Sequence, residues 1–435
     1  MAFAIFFLSA CSYFDGGEKE GPPLPGERIS VLERFETGTD QAFAESRAIR
    51  IAPPVPNADW AQDYWNASNN MPSLETGAFA ALERIWQSDI GSGGNDRIPQ
   101  TAQPVIKNGR VFTLDTKGSV RAFHNQTGKA QWTRAIKPKK EDESVLHGGL
   151  AADESSLYVS GGYGELVALN QNDGAVLWRT PLTAGSRAAP TVYAGRVYIK
   201  TLDNNLSALN AADGKILWTY EGVGETTGLL GTAPVAGDDL MVIAAFSSGD
   251  LVALRPENGA VLWSDRLINP LQMSALATLA DIRAAPVIDL NDTVYAISYG
   301  GRMVAIDKRT GARLWTRELN GAQTPTVNNN TLFFVSAEGV LNALDAGSGA
   351  TIWQRALPRF RSPEKREGAV QYFGPRLLNG QIALLTNDGF LLLFNPADGH
   401  DVEQINMNGR FYHAPLAAEG ILYLVSQDGK LTAYR

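Results

Sequence analysis

The chain has 435 residues, of which 44% are hydrophobic, so it is long enough to bury a large core. Its formal net charge of −8 argues against a nucleic-acid partner, because neutralising phosphates requires a basic surface. The 43 glycines and 22 prolines are scattered along the chain, which favours many turns between short elements over long helices.

The first element in chain order is a predicted signal peptide over residues 1–10. Residues 4–11 read AIFFLSAC, an apolar run that is too short to span a bilayer, which takes about 20 helical residues. LSAC resembles the lipobox of bacterial lipoproteins, in which the cysteine carries diacylglycerol. We therefore predict lipidation at Cys11, with the basic start of the signal peptide missing from this sequence. A disordered apolar terminus with a chance cysteine is the alternative.

Cys11 is the only cysteine, so the chain cannot form an intrachain disulfide or a thiolate metal cluster. Residues 11–78 are rich in Pro, Gly and Asn, with GPPLPGERISVLERF and APPVPNADW as landmarks. A segment of this composition buries too little apolar surface to offset its ordering entropy. We predict a lipid-anchored tether, which Trp60 and Trp65 could dock onto the body.

A short repeat that ends in tryptophan dominates the rest of the chain. DGKILW, at residues 213–218, returns as TGKAQW, DGAVLW, NGAVLW, TGARLW and SGATIW. One fuller unit, residues 188–218, contains four strand-like pieces: a run led by Pro190, an alternating run, LSAL, and the strand that carries Trp. The predicted blade-docking residues, including one that precedes the first full unit, are Trp86, Trp132, Trp178, Trp218, Trp263, Trp315 and Trp353.

Four-stranded units of about 40 to 45 residues are typical of propeller blades. The third strand recurs often enough to count eight units, and the eighth ends after three strands. FAALERIW, at residues 79–86, stands alone before the first unit and can supply the missing strand, which leaves no unpaired edge. We predict an all-β, eight-bladed β-propeller over residues 79–435, with four antiparallel strands per blade. The seventh unit has Glu403 where the others have Trp, which predicts a weaker junction there.

The repeat resembles the tryptophan-docking propellers of the PQQ-enzyme type, and two functional classes share that fold. Quinoprotein dehydrogenases hold pyrroloquinoline quinone and calcium, often beneath a vicinal cysteine pair that this chain lacks. The predicted propeller body is also shorter than those enzymes and leaves no residues for their active-site insertions. The four histidines, which are His124, His147, His400 and His413, lack paired metal spacing and are expected at the surface or in turns. We predict a protein that is not an enzyme and holds no cofactor or metal.

The second class is the BamB-type lipoproteins, a scaffold subunit of the outer-membrane β-barrel assembly machinery. The lipobox, the tether, eight Trp-docking blades and the lack of a catalytic set agree with this class. PPLPGERISVL, at residues 22–32, is similar to an N-terminal extension in its α-proteobacterial members. The resemblance implies a monomeric subunit, anchored by lipid at the periplasmic face of the outer membrane, that binds the POTRA domains of BamA. A dehydrogenase, another envelope adaptor, or a glycan or peptide binder that uses the funnel of the propeller are the alternatives.

In this family the partner is contacted by loops just before Pro-led strands, which correspond here to residues 182–189 and 279–285. Leu182 and Asp281 match residues that are common in the family, whereas Gly185 and Arg283 differ from its Arg and second acid. SRAAP and IRAAP place Arg187 and Arg283 at equivalent positions, and Arg is over-represented at binding hot spots. The candidate partner-binding residues are therefore Leu182, Arg187, Asp281 and Arg283. A simpler alternative is that both arginines pair with acids at the rim.

Overall fold

The computed structural model describes residues 48–138, 145–224, 232–268 and 282–435. Cys11 and Asp281 lie outside these described residues. A single-turn 3₁₀ helix spans Phe79–Ala81. The strands are β1 (Arg84–Asp89), β2 (Val105–Lys107), β3 (Arg110–Leu114), β4 (Ser119–His124), β5 (Ala130–Ala135), β6 (Gly149–Ala152), β7 (Ser156–Ser160), β8 (Glu165–Asn170), β9 (Val176–Pro181), β10 (Thr191–Tyr193), β11 (Arg196–Lys200), β12 (Asn205–Asn210), β13 (Ile216–Glu221), β14 (Ala236–Gly237), β15 (Val242–Ala245), β16 (Asp250–Leu254), β17 (Val261–Arg266), β18 (Val287–Ile288), β19 (Thr293–Ile297), β20 (Met303–Asp307), β21 (Arg313–Arg317), β22 (Thr326–Asn328), β23 (Thr331–Val335), β24 (Val340–Asp345), β25 (Thr351–Ala356), β26 (Phe360–Ser362), β27 (Glu367–Ala369), β28 (Tyr372–Leu378), β29 (Gln381–Thr386), β30 (Phe390–Phe394), β31 (Asp401–Asn406), β32 (Leu416–Ala418), β33 (Ile421–Val425) and β34 (Lys430–Tyr434).

These strands form eight four-stranded antiparallel sheets, which confirms the predicted eight-bladed propeller. Blades 1 to 6 are β2–β5, β6–β9, β10–β13, β14–β17, β18–β21 and β22–β25, and blade 7 is β28–β31. Blade 8 combines β32–β34 with β1, so the N-terminal strand closes the ring as predicted. The closing strand begins at Arg84, because residues 79–81 form the helical turn instead. β26 and β27 form a separate hairpin before blade 7.

The first strand of each blade lies nearest the axis, since β6 contacts β2 and β10, and β14 contacts β10 and β18. Side chains of the inner three strands are largely buried, because each sheet is covered on both faces by its neighbours. This explains why the third strands read as continuous apolar runs such as LVAL and LSAL. The outer strands alternate between exposed and half-buried positions, as in β9 and β31.

Each repeated Trp connects its blade to the next one. The indole Nε1 of Trp218 on β13 donates a hydrogen bond to the backbone carbonyl of Pro256 in blade 4, at 2.8 Å. The ring lies over Gly259 of the same turn, where a Cβ would come within 2.7 Å of the indole. All seven repeat tryptophans make this bond, to the carbonyls of Asn125, Gln171, Ala211, Pro256, Lys308, Ala346 and Pro396 in order.

The glycine of each repeat therefore has a role that its position in the sequence does not reveal. It has a left-handed backbone, with φ of +71° at Gly259, which suits glycine in the turn before the Trp strand. Its missing side chain also makes space for the Trp of the preceding blade. The pairs of Trp and receiving glycine are Trp86 with Gly128, Trp132 with Gly174, Trp178 with Gly214, Trp218 with Gly259, Trp263 with Gly311, Trp315 with Gly349 and Trp353 with Gly399.

The exception at Glu403 follows from how the ring closes. The receiving turn of a blade joins its third and fourth strands. In blade 8 these are β34, which ends at Tyr434, and β1, which begins at Arg84, so no such turn exists there. Instead, the two backbone segments bond to each other through reciprocal N–H to O contacts between Glu83 and Arg435, both at 2.9 Å. A Trp on β31 would have no glycine turn to receive it.

Residues 48–77, here called the plug, form a layer of irregular backbone across one end of the ring. The plug contacts the innermost strand of every blade near the end of that strand. The hydrogen bonds, one per blade from 1 to 8, are Trp60 N to Ile106 O, Ala152 N to Ala61 O, Gln62 Nε2 to Val192 O, Gly237 N to Ala67 O, Ile288 N to Ser68 O, Ala52 N to Asn328 Oδ1, Leu74 N to Leu377 O, and Asn57 Nδ2 to Ala417 O.

The plug overlaps the segment that the sequence analysis assigns to a solvated tether. Trp60 and Leu74 have no exposed surface and belong to the core cluster of blades 1, 7 and 8. Trp65 packs against this cluster, so both tryptophans contact the body as expected. The packed body therefore begins well before residue 79. The tether remains a prediction for residues 11–47, which lie outside the described residues.

Candidate functional site

The central channel is closed by the plug at one end and forms a cavity at the other end, here called the funnel. The funnel has a volume of about 110 Å³. Its wall comes from the loops that lead into the innermost strands, and plug residues Asp63 and Tyr64 also line it. One lining residue from each blade, in order from blade 1 to blade 8, is Thr101, Gly148, Arg187, Thr232, Arg283, Thr324, Arg376 and His413.

The structure brings together two of the four predicted partner-binding residues. Arg187 and Arg283 precede β10 and β18 and both line the funnel, half-buried. The loop before β10 is held by Ser186, whose buried hydroxyl donates to the carbonyl of Lys200 at 2.7 Å. Leu182 lies apart from the funnel and packs against the core cluster between blades 2 and 3. Asp281 lies outside the described residues.

Arg376 on β28 is the funnel residue that the sequence analysis did not identify. It is 5% exposed, and its guanidinium lies 5.0 Å from the ring centroid of Trp60 and 4.9 Å from that of Tyr64. These distances correspond to cation–π contacts, which stabilise a cation more strongly when it is shielded from water. The available signal was a charged residue directly after Pro375, on an innermost strand that is otherwise buried.

Two groups on the plug complete the electrostatics of the funnel. Burial raises the pKa of Asp63 to about 6, and the nearby Arg376 opposes this rise. Burial and the charge of Asp63 also raise the pKa of Tyr64. The backbone carbonyl of Asp63 accepts a hydrogen bond from Nε2 of Gln103 at 2.7 Å, which fixes the plug to blade 1. Asp63 is thus the carboxylate nearest to a strongly cationic wall.

The expectation that all four histidines lie at the surface or in turns is wrong for His147, whereas His413 lies half-buried in the bend before β32. His124 and His400 are exposed, but His147 is buried, and burial lowers its pKa to about 4. His413 lines the funnel with a pKa lowered to about 4, first by burial and also by the charges of Arg283 and Arg376. One ring nitrogen of His413, Nε2, lies 2.8 Å from the carbonyl oxygen of Gln100. At neutral pH this histidine is uncharged, so the positive charge of the described lining comes from the arginines.

The funnel is suited to binding. Within the described ranges, no three His, Cys, Asp or Glu side chains gather into a group that could hold a metal ion. Among the same residues, no helix is long and apolar enough to cross a membrane. Besides Asp63 and His413, the described lining offers guanidinium groups, hydroxyls and aromatic faces, which recognise charge and shape.

The family model and the relatives found by sequence agree on one family. The model of a family described as outer membrane protein assembly factor BamB matches residues 116–355 and 337–435. BamB of Yersinia pestis is 28% identical over 368 residues, covering 81% of this chain and 88% of that protein. BamB of Escherichia coli strain K12 is 28% identical over 359 residues, covering 79% and 86%.

Solved structures share the fold. The crystal structure of BamB from Moraxella catarrhalis has a TM-score of 0.69 at 22% identity and covers 82% of this chain and 100% of that one. A quinohemoprotein alcohol dehydrogenase from Comamonas testosteroni has a TM-score of 0.65 at 14% identity, with coverage of 87% and 80%. At these identities the likeness speaks for the propeller alone, which both classes of protein share.

Proposed function

The chain belongs to the family of outer membrane protein assembly factor BamB, and on that premise we propose that it is a non-catalytic scaffold subunit that binds the POTRA domains of BamA. The observation that carries the proposal is the family match, which runs from residue 116 to the end of the chain. We further propose that lipid on Cys11 anchors this subunit at the periplasmic face of the outer membrane. Residues between Cys11 and the plug would then set its distance from the membrane.

The proposed docking face is the end of the ring opposite the plug. The described parts of the loops before β10 and β18 lie at this end and carry Leu182, Arg187 and Arg283. Asp281, the fourth candidate, lies outside the described residues. The plug contacts the other ends of the innermost strands, so it leaves these loops uncovered. A face built from rigid, closely packed blades loses little conformational freedom on binding, which favours a scaffold.

The experiment is capture of purified POTRA domains by the purified protein. The double change Arg187→Ala with Arg283→Ala is expected to weaken capture about thirtyfold, since a hot-spot contact is commonly worth about 2 kcal/mol. Arg84→Ala with Arg255→Ala removes two exposed arginines elsewhere and serves as the matched control. A third variant, Leu182→Ala, tests the part of the face outside the funnel.

Two outcomes would contradict the proposal. If the wild-type protein fails to capture POTRA domains, the proposed partner is wrong. If capture occurs but neither the arginine pair nor Leu182 changes it, this face is not the docking surface. Reduction of a dye by the purified protein, supplied with pyrroloquinoline quinone, calcium and alcohols, would contradict the non-catalytic role.

A further inference from the structure

The funnel is positively charged in a chain whose formal net charge is −8. Among the described residues, three arginines line it, Arg187, Arg283 and Arg376, against one carboxylate, that of Asp63. They come from blades 3, 5 and 7, so they surround the axis from three sides. A narrow cleft with walls of low dielectric constant focuses such a field and raises the local concentration of anions.

Among the described residues, no carboxylate forms an ion pair with two of these arginines. The third, Arg376, interacts electrostatically with Asp63, and its guanidinium also lies against the rings of Trp60 and Tyr64. Within the part of the chain that the structure describes, Arg187 and Arg283 form no ion pair with a carboxylate. The alternative that both arginines pair with acids at the rim therefore has no support among the described residues. With respect to the described residues, both guanidinium groups keep their hydrogen-bond donors for a ligand in the funnel.

The funnel also has the size and the donors that a small oxyanion needs. Its volume of about 110 Å³ holds several water-sized groups, given that one water needs roughly 10–15 Å³ on this measure. Guanidinium groups offer paired N–H donors that match the two oxygens of a carboxylate or a phosphate. Arg376 is held rigid between two aromatic rings, so little side-chain freedom would be lost when a ligand binds beside it.

We propose that the funnel is a binding site for a small oxyanion, a carboxylate or phosphate group that Arg187 and Arg283 hold above Arg376. The site goes beyond the scaffold function, because it needs no protein partner and can be measured on the isolated chain. The ligand is either a phosphorylated or a carboxylate-bearing small molecule, or the charged end of a longer one. A small molecule and the end of a longer one would each present a carboxylate or phosphate group to the arginines.

The test is isothermal titration calorimetry of the full chain in phosphate-free buffer at pH 7, with ionic strength held constant by sodium chloride. Inorganic phosphate and citrate are the two probes, and their relative affinities distinguish a phosphoryl ligand from a carboxylate ligand. Saturable binding of at least one probe is expected. Arg187→Gln with Arg283→Gln should weaken binding roughly tenfold or more, since each lost charge-assisted hydrogen bond is a strong one.

A matched control pair and a variant of Asp63 distinguish binding in the funnel from a general effect of charge. Arg84→Gln with Arg255→Gln removes the same charge at exposed positions outside the funnel and should leave binding unchanged. Asp63→Asn removes the carboxylate of the funnel and should tighten binding of the same probe. The proposal is overturned if neither probe binds saturably to the wild-type protein. It is also overturned if the funnel and control pairs bind equally, or if Asp63→Asn weakens binding in a folded protein.

Discussion

If the repeat glycines receive the tryptophans, a single methyl group at Gly259 should destabilise the junction between blades 3 and 4. Gly259 and Gly195 make a matched pair, because their φ angles are +71° and +72°. A Cβ on Gly195 would meet no atom within 4 Å, whereas a Cβ on Gly259 would lie 2.7 Å from the ring of Trp218. Both changes to alanine carry the same backbone strain, and only one of them disturbs the Trp contact.

The expected magnitudes follow from this geometry. Alanine in the left-handed region costs about 1–2 kcal/mol, and this cost applies to both Gly195→Ala and Gly259→Ala. Trp218 is 8% exposed and fixed by its bond to Pro256, so the ring has little room to move. Overpacking of this kind costs about 1–3 kcal/mol more. Gly259→Ala should therefore reduce the free energy of unfolding by about 1–3 kcal/mol beyond the reduction caused by Gly195→Ala.

The assay is equilibrium unfolding in urea, followed by far-UV circular dichroism, with the slope compared between variants to check that the denatured states are alike. A double-mutant cycle with Trp218→Ala identifies the cause. Without the indole, Gly259→Ala should cost no more than Gly195→Ala does. Equal losses for the two single changes, or an undiminished cost in the absence of Trp218, would refute the docking role of glycine.

Three further outcomes are expected. Deleting residues 79–88 removes Trp86 and most of the closing strand and should lower the thermal midpoint far more than deleting residues 16–25; equal midpoints would reject closure by this strand. Cys11→Ala should move the protein to the soluble periplasmic fraction, and retention in the membrane would contradict a lipid anchor. Asp63→Asn should stabilise the fold at pH 7 by about 3 kcal/mol, because burial raises the pKa of Asp63 from 3.8 to about 6. As the pH rises from 3.8 to 6, the unfolded chain loses this proton first and stability falls, so the gain should vanish below about pH 4 in thermal melts.

The propeller could be predicted from the sequence because its blades repeat. Most units carry Trp at one register, Leu and Ala on the third strand and Pro at the start, so one copy supports the interpretation of the next. The plug has no such repeat. Its backbone bonds mainly to other backbone atoms, and contacts such as that of Ala61 with Ala152 leave no trace in residue type.

The funnel was only partly predictable for the same reason. Arg187 and Arg283 stand at equivalent places in two repeats, which makes them visible in the sequence. Arg376, Asp63 and His413 lie in three unrelated contexts, and only the closed ring with its plug brings them together. Apolar anchors in a Pro-rich segment, above all Trp60, were the available sign that the segment is packed.

Closure of the ring also sets an order of events in folding. Asp89 on β1 and Lys430 on β34 form an ion pair although they are 341 positions apart in the chain. The plug touches all eight blades, so it can take up its full set of contacts only after the C-terminal blade exists. Pairings between such distant residues form late and slowly, because the entropy cost of closing a long loop comes before the contacts that offset it. The plug precedes the blades in the chain and is thus among the last segments to reach its final place. Until β1 pairs with β34, the outer edge of β34 stays open to pairing with another chain.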